Sequence, residues 1–95
     1  MAAYVIADVD VTDPELFAEY RKLVSPIVEM YGGRYIVRGG ESEVIEGDGT
    51  PHRTVVIEFD SLARAKQWYH SPEYAPAKEM RFRSANTSLI VVDGA

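Results

Sequence analysis

The feature that most constrains the fold is a set of short segments in which the apolar residues are uninterrupted. These runs are Tyr35–Val37, Val55–Ile57 and Leu89–Val92. An antiparallel sheet with one face in water alternates apolar and polar side chains, whereas a strand covered on both faces is apolar throughout. The helices of so short a chain cover only one face of a sheet. We therefore expect a second copy of the chain to cover the other face, which gives a dimeric α/β barrel.

The predicted elements follow the order β-α-β-β-α-β, with the second helical segment broken in two. Asp13-Pro14 is typical of a helix start, and Gly32-Gly33 of a helix end. Right-handed crossovers place the helices on one face of a four-stranded antiparallel sheet, an α+β fold that forms one domain over residues 1–95. The predicted strands are Tyr4–Val11, one from Arg34 to between Arg38 and Ile45, Thr54–Asp60 and Thr87–Val92, and the predicted helices are Pro14–Tyr31, Leu62–Tyr69 and Pro72–Ser84.

Several ionisable side chains are predicted on the face of the sheet that points into the barrel. Residues of the same parity share a face of a strand, because side chains alternate from one residue to the next. Parity groups four ionisable residues on a face that is otherwise apolar: Asp8, Asp10, Arg38 and Glu58. Two interpretations remain open. Arg38 either pairs with the carboxylates to close the sheet, or holds an anionic ligand beside a carboxylate that acts as base.

The prediction for Arg38 depends on the regularity of the second strand. Parity places Tyr35 and Val37 on the helix face of that strand, and Arg34, Ile36 and Arg38 on the barrel face. Consecutive glycines follow Arg38, and a bulge at Gly39 would invert the facing of the residues after it.

A second candidate constellation lies at the break between the two later helices, in the segment WYHSPEY at residues 68–74. Trp and Tyr side chains often line ligand cavities, and they equally often pack in a core. Tyr74 and Arg81 share one face of the following helix, where Arg81 also interacts favourably with the helix dipole. The candidate substrate-binding residues are Trp68, Ser71, Tyr74 and Arg81.

Charge and composition exclude several classes of function. The chain has 10 basic and 15 acidic residues, a net charge of −5, which disfavours binding to nucleic acid and to anionic membranes. No apolar segment is long enough to span a bilayer. The chain has no cysteine, which fits a cytoplasmic protein, and its two histidines have no partners at metal-ligand spacing. We therefore expect no metal and no cofactor.

Four stretches taken together resemble a known family: GGRYIVRGGESEVIEG at 32–47, VVIEF at 55–59, WYHSPEY at 68–74 and MRFRSA at 80–85. They are similar to the family named domain of unknown function 1330, over nearly the whole chain. The resemblance implies a ferredoxin-like protomer in a dimeric α/β barrel, but it implies no activity. Relatives by fold include cofactor-free monooxygenases, muconolactone isomerases and haem-degrading enzymes, an analogy of fold only. The positions that the resemblance marks as typical are Asp10, Tyr20, Arg38, Gly39, Glu58, Trp68, Ser71, Tyr74 and Arg81.

Two functions remain open from the sequence. In the first, the protein binds or transforms a small organic acid or aromatic compound in a pocket between sheet and helices. Arg38 or Arg81 would hold the acid, Trp68 would stack on it, and Asp10 or Glu58 would act as general base. In the second, the chain is a non-catalytic dimeric module, structural or stress-associated, whose inward charges only fix the register of assembly. Whether the protein is an enzyme is left open.

Overall fold

The structure, a computed structural model, describes all 95 residues and has the predicted order of elements. Its sheet order is β2-β3-β1-β4, and every neighbouring pair of strands is antiparallel. This arrangement confirms the predicted α+β fold. The elements are β1 (Ala3–Val11), α1 (Pro14–Met30), β2 (Arg34–Arg38), β3 (Arg53–Phe59), α2 (Leu62–Tyr69), α3 (Ala75–Ser84) and β4 (Ala85–Asp93).

The core lies between one face of the sheet and the three helices. Along β1, buried and half-buried residues alternate from Ala3 to Asp10, as expected of a strand whose two faces differ. The buried set of β1 packs on the apolar stripe of α1, whose members recur at three- and four-residue steps. The stripe residues that are buried are Phe17, Tyr20, Val24 and Val28. None of the three helices combines the length and the apolar character that spanning a bilayer requires.

Local sequence signals fix both ends of α1. The Asp13 carboxylate accepts a hydrogen bond from the Leu16 amide at 3.2 Å, and Pro14 occupies the first turn, where its missing N–H leaves no helical bond unmade. Gly32, at φ 76°, reverses the chain after the helix. Asp13 and Gly32 thus fix where α1 begins and where it ends.

The junction between α2 and α3 differs from the prediction. Ser71 makes a capping contact, since its hydroxyl accepts the amide hydrogen of Tyr74 at 3.1 Å, but residues 72–74 form a turn and no regular helix. The helix begins at Ala75, and its last residue, Ser84, is followed directly by β4. The fourth strand therefore starts two residues earlier than the predicted Thr87.

The second strand also differs, with a consequence for the site. Its register shifts between Tyr35 and Val37, so Ile36 forms a bulge. Val37 then pairs with Val56 on the face of the sheet that the helices leave uncovered, which we call the open face. Arg38 pairs with Val55 on the opposite face, the helix face. The predicted facing of Val37 and Arg38 was therefore wrong, because a bulge three residues before Gly39 inverts both. Residues 39–52 form no helix or strand.

Trp68 is the centre of an aromatic group in the core, where 1% of its surface is exposed. Its ring stacks on Tyr74 at 4.4 Å between centroids and lies 5.5 Å from Phe59. The core interpretation of Trp68 is confirmed, and the same side chain also forms part of a pocket wall.

We predict that Trp68→Ala lowers the free energy of unfolding by about 3–5 kcal/mol, because it leaves a large cavity that the fixed strands cannot close. Phe82→Ala is the matched control, since Phe82 is an aromatic residue with 54% of its surface exposed. Urea unfolding of the three proteins measures both losses. A loss below about 1 kcal/mol for Trp68→Ala would contradict a core role.

Candidate functional site

A pocket lies between the helix face of the sheet and the helices. Its cavity volume, measured as the space that the centre of a water molecule can occupy, is about 40 Å³. All the empty space of the depression, including the solvent at its mouth, amounts to about 530 Å³. Twelve of its 16 lining residues are hydrophobic, and none is Asp, Glu or His. The lining residues are Val5, Ala7, Val9, Phe17, Tyr20, Arg21, Val24, Tyr35, Arg38, Arg53, Val55, Ile57, Trp68, Tyr74, Arg81 and Leu89.

Three arginines, Arg21, Arg38 and Arg53, line one side of this pocket, and we call them the arginine rim. They come from α1, the end of β2 and the start of β3. No carboxylate oxygen lies within 4.0 Å of any of the three guanidinium groups. Partial burial, together with the charges of Arg21 and Arg38, lowers the pKa of Arg53. The rim is therefore a site of concentrated positive charge in a protein of net charge −5.

Neutral groups hold the rim in place. Arg38 Nη2 donates to the Ser25 hydroxyl of α1 at 2.7 Å, and its guanidinium lies 4.4 Å from the ring centroid of Tyr35. The guanidinium of Arg53 packs 6.0 Å from the Phe17 ring. These contacts orient the two cations and leave their charges uncompensated, since none of the three partners is anionic.

Gly39 makes the close packing of Arg53 possible. Its φ of 71° lies in the left-handed region, and a Cβ placed there would lie 2.5–2.8 Å from the Arg53 guanidinium. The Gly39 amide also donates to the Thr54 carbonyl at 2.8 Å, which ends the pairing of β2 with β3. The glycine expected to mark a bulge is thus the residue that turns the chain away beside the rim.

A second polar group lies deeper in the pocket and consists of Tyr20, Tyr74 and Arg81, which we call the inner cluster. The hydroxyl oxygens of Tyr20 and Tyr74 lie 2.9 Å apart, and Arg81 Nε donates to the Tyr74 hydroxyl at 3.2 Å. Another guanidinium nitrogen of Arg81 donates to the Thr87 hydroxyl of β4. The exposed fractions of the three cluster residues are 8%, 0% and 4%.

Burial decides the protonation of the pocket's tyrosines. It raises the pKa of Tyr20 far above the usual range, and it raises the pKa of Tyr74 although Arg81 opposes the shift. It also raises the pKa of Tyr35 to about 12, with Arg38 opposing. These hydroxyls remain protonated at neutral pH, so they donate hydrogen bonds and cannot act as bases.

The structure brings three of the four predicted substrate-binding residues together. Trp68, Tyr74 and Arg81 line the pocket together, whereas Ser71 does not. The Ser71 hydroxyl donates to the Trp68 carbonyl at 2.8 Å and accepts from the Tyr74 amide. It thereby fixes the turn that presents both aromatic rings, and its role as a substrate ligand stays a prediction.

The predicted catalytic residues are not brought together. Asp10 and Glu58 lie on the open face of the sheet, whereas Arg38 lies on the helix face. Glu58 instead pairs with Arg34 at 2.7 Å. The predicted placement of Arg38 on the same face as Asp8 and Glu58 was therefore wrong, because the bulge at Ile36 turns Arg38 to the other side. A role of Asp10 or Glu58 as general base stays a prediction.

The other carboxylates of the open face have a partner that the sequence analysis missed. The Asp8 carboxylate accepts from His52 Nδ1 at 3.1 Å and from the His52 amide at 2.9 Å, and His52 Nε2 lies 3.9 Å from Asp10. Strand parity could have indicated this, since His52 shares its parity with Thr54, which lies opposite Asp8 on the open face. No group of three His, Asp or Glu side chains is arranged to hold a metal ion.

Parity also pointed to one of the two rim residues that were not singled out from the sequence, since Arg53 shares its parity with the helix-facing Val55. No pattern marked Arg21, because consecutive residues of a helix such as Tyr20 and Arg21 do not share a face. What the sequence does not show is that both converge with Arg38, because that depends on the bulge.

A family model described as "Domain of unknown function (DUF1330)" matches residues 2–95 of this chain. The chain belongs to this family. The resemblance of its sequence motifs to domain of unknown function 1330 is thus confirmed. No curated protein matches the chain in sequence.

Solved structures share the fold. A protein of unknown function from Rhodopseudomonas palustris is 19% identical, with a TM-score of 0.79 over 99% of this chain and 82% of its own. A dimeric ferredoxin-like protein of unknown function from Jannaschia sp. CCS1 is 10% identical, with a TM-score of 0.73 over 99% and 100%. SnoaB, a cofactor-independent oxygenase from Streptomyces nogalater, is 10% identical, with a TM-score of 0.62 over 99% and 93%. At these identities the likeness establishes a ferredoxin-like fold and nothing further.

The pair of His52 and Asp8 predicts a pH-dependent stability. Hydrogen bonding to Asp8, and then the charge of Asp10, raise the pKa of His52 above its ordinary value of 6.5. Folding therefore favours the protonated ring. Its stabilisation is complete below the unfolded pKa and is lost as pH rises through the folded pKa.

We predict that the free energy of unfolding of the wild type exceeds that of His52→Gln, and that this difference is larger at about pH 6 than at about pH 8. His70→Gln is the control, because no carboxylate lies within 4.0 Å of His70. Urea unfolding of the three proteins at both pH values measures the differences. A gap between wild type and His52→Gln that is constant with pH would contradict the pairing.

Proposed function

We propose that this protein binds a small organic acid with an apolar, preferably aromatic, body in the pocket between sheet and helices. The acid group would lie at the arginine rim and the apolar body against the hydrophobic wall. The observation that carries the proposal is the convergence of Arg21, Arg38 and Arg53 without a carboxylate partner at the side of an apolar pocket.

The charge pattern supports an anionic ligand. Guanidinium groups form their strongest hydrogen bonds with carboxylates, frequently in a bidentate geometry. The chain has 15 acidic residues, yet none of them pairs with the rim. Each rim cation repels the others, and a bound anion would relieve that repulsion.

The size of the pocket requires its mouth to open. A cavity of about 150 Å³ takes up benzene, and about 40 Å³ holds only water. Arg21 and Arg38 are exposed side chains, and exposed side chains change rotamer readily. Rotation of these two residues would lengthen the site toward solvent.

The pocket supports binding more directly than acid–base catalysis. Its lining contains no carboxylate and no histidine, so it holds donors of protons but no ordinary base. Catalysis by Asp10 or Glu58 would have to take place on the open face of the sheet. The likeness to SnoaB extends to the fold alone, and we propose no oxygenase chemistry.

We predict that benzoate binds to the wild-type protein and that Arg38→Ala weakens its affinity by about 10- to 100-fold. This corresponds to the loss of about 1.5–3 kcal/mol for a hydrogen bond to a charged group. Isothermal titration calorimetry with benzoate, and with benzamide as the neutral analogue, measures the effect. Arg83→Ala is the matched control, since Arg83 is exposed on α3 and lines no pocket.

Equal affinity of wild type and Arg38→Ala for benzoate would contradict the rim as the binding group. Absence of benzoate binding by either protein would favour the non-catalytic structural module. The pairing of Glu58 with Arg34 and of Asp8 with His52 on the open face already fits a role of those charges in assembly.

We also propose that two copies pack through their open sheet faces as a homodimer. That face carries neighbouring apolar residues from three strands, among them Ile6, Val56 and Ile90, and Ile90 is 58% exposed in the single chain. The ferredoxin-like protein from Jannaschia sp. is described as dimeric. Because the pocket opens on the helix side, each protomer of such a dimer keeps its own site.

We predict a dimer at micromolar concentration in sedimentation, with an interface of about 1,500 Å² or more in total. Val56→Lys should dissociate it, because the lysine would bury an unpaired charge at the centre of the packed faces. Leu23→Lys, on the exposed side of α1, should leave the dimer intact. A wild-type monomer, or a dimer that Val56→Lys leaves unchanged, would contradict this mode of assembly.

A further inference from the structure

We propose that the inner cluster of Tyr20, Tyr74 and Arg81 is a second subsite, which binds a carbonyl, enolate or phenolate oxygen of the ligand. This inference deepens the proposed function and rests on it for the position of the acid group at the rim. The ligand class is thereby narrowed to aromatic or unsaturated acids that carry a hydroxyl or oxo group at their other end.

The hydrogen bonds of the inner cluster leave a donor without an acceptor. The two tyrosine hydroxyls share one hydrogen bond, so only one of their hydrogens is used by it. Arg81 can only donate, and it gives its Nε hydrogen to the Tyr74 oxygen. Whichever tyrosine donates in the shared bond, the hydrogen of the other hydroxyl has no acceptor among the bonds of the cluster.

A neighbouring group adds to the surplus of donors. The indole Nε1 of Trp68 is buried and has no hydrogen-bond partner, although Trp68 lines the same pocket. Buried polar groups are almost always paired, and each orphaned donor destabilises the fold. An oxygen acceptor placed in the pocket would accept the hydrogens that the protein itself leaves unpaired.

Charge points to an oxygen that is negative or becomes negative. Arg81 is 4% exposed, and no carboxylate oxygen lies within 4.0 Å of it. A buried cation is strongly destabilising unless an anion or several acceptors compensate it. Its hydrogen-bond partners, the hydroxyls of Tyr74 and Thr87, are neutral, and so is the Phe82 ring, whose centroid lies 5.1 Å from the guanidinium. An enolate or phenolate would supply the missing negative charge.

The two subsites are separated across the sheet. Arg53 of the rim and Thr87, which holds Arg81, pair with Val9 from its two sides. Neighbouring strands lie about 4.8 Å apart, so the backbones of these two residues are about 10 Å apart. Apolar side chains of β1 line the space between them. A ligand that reaches both subsites therefore has polar ends and an apolar middle, as a substituted aromatic acid has.

The probe for the inner subsite is para-nitrophenol, which has no carboxylate and whose phenolate is distinguished from its phenol by colour. We expect saturating wild-type protein to lower the pKa of the bound probe by about one unit or more, a tenfold preference for phenolate. Spectrophotometric titration measures this shift. Arg81→Met keeps an unbranched apolar stem and removes the guanidinium charge, and it should abolish the shift.

Matched variants identify the source of the shift. Arg83→Met removes an exposed arginine from the same helix and should leave the pKa of the bound probe as in wild type. The double variant Tyr20→Phe/Tyr74→Phe keeps both rings and removes both hydroxyls, so it should reduce the shift while Arg81 stays in place. Tyr4→Phe, on the open face, is its control. If Arg81→Met fails to fold, as judged by circular dichroism, the double variant decides the result.

The outcomes separate this inference from the proposed function. A shift that disappears in Arg38→Ala and persists in Arg81→Met places the phenolate at the rim and overturns the inner subsite alone. A probe that binds with unchanged pKa, or that does not bind, also overturns it, whether or not benzoate binds. A shift that depends on Arg81, in a protein that does not bind benzoate, supports the inner subsite and overturns the rim.

Discussion

The molecule depends on one constraint: its three helices cover only one face of its four-stranded sheet. Every strand residue therefore faces either the helices or the open side, and the two faces have different chemistry. The helix side contains a pocket with uncompensated arginines and protonated tyrosines. The open side has apolar residues, together with carboxylates that are paired with Arg34 and His52. The first set is suited to a ligand and the second to assembly.

Much of the fold follows from local signals in the sequence. The apolar stripe and the Asp13 cap of α1 predict that helix to within one residue. The alternation of side-chain direction along a strand predicts which residues of β1 and β3 face the helices. The start of α3 did not follow, because residues 72–74 form a turn after the Ser71 cap before the regular helix begins at Ala75. A Ser-Pro pair is compatible with both structures, and only the packing of Trp68 and Tyr74 selects between them.

The candidate site was harder to predict, and the reason is one residue. Ile36 takes up the bulge in β2, which moves Arg38 from the open face to the pocket. Nothing in the pattern RYIVR marks Ile36 as the extra residue, because a bulge is set by the twist and pairing of neighbouring strands. Trp68, Tyr74 and Arg81, which were predictable as pocket residues, lie together in the structure. The predicted neighbours of Arg38 were wrong.

The pocket is explained best by what it lacks. Arg21, Arg38, Arg53 and Arg81 have no carboxylate partner, and Trp68 Nε1 and one tyrosine hydrogen have no acceptor. Of these groups the Arg81 guanidinium and Trp68 Nε1 are buried, and buried polar groups are almost always paired. The concentration of all these groups around one apolar pocket, and the pairing of the charges on the other face, are consistent with a ligand that supplies negative charge.

The most direct test of this account is to locate a bound anion by proton–nitrogen correlation NMR during titration with benzoate. We expect the side-chain N–H signals of Trp68 and Arg38 to shift progressively, together with the backbone amides around the pocket. The amides of Ile6 and Ile90 on the open face should remain unchanged. Shifts confined to the open face, around His52 and Asp10, would contradict the account, since they would place the ligand among the carboxylates.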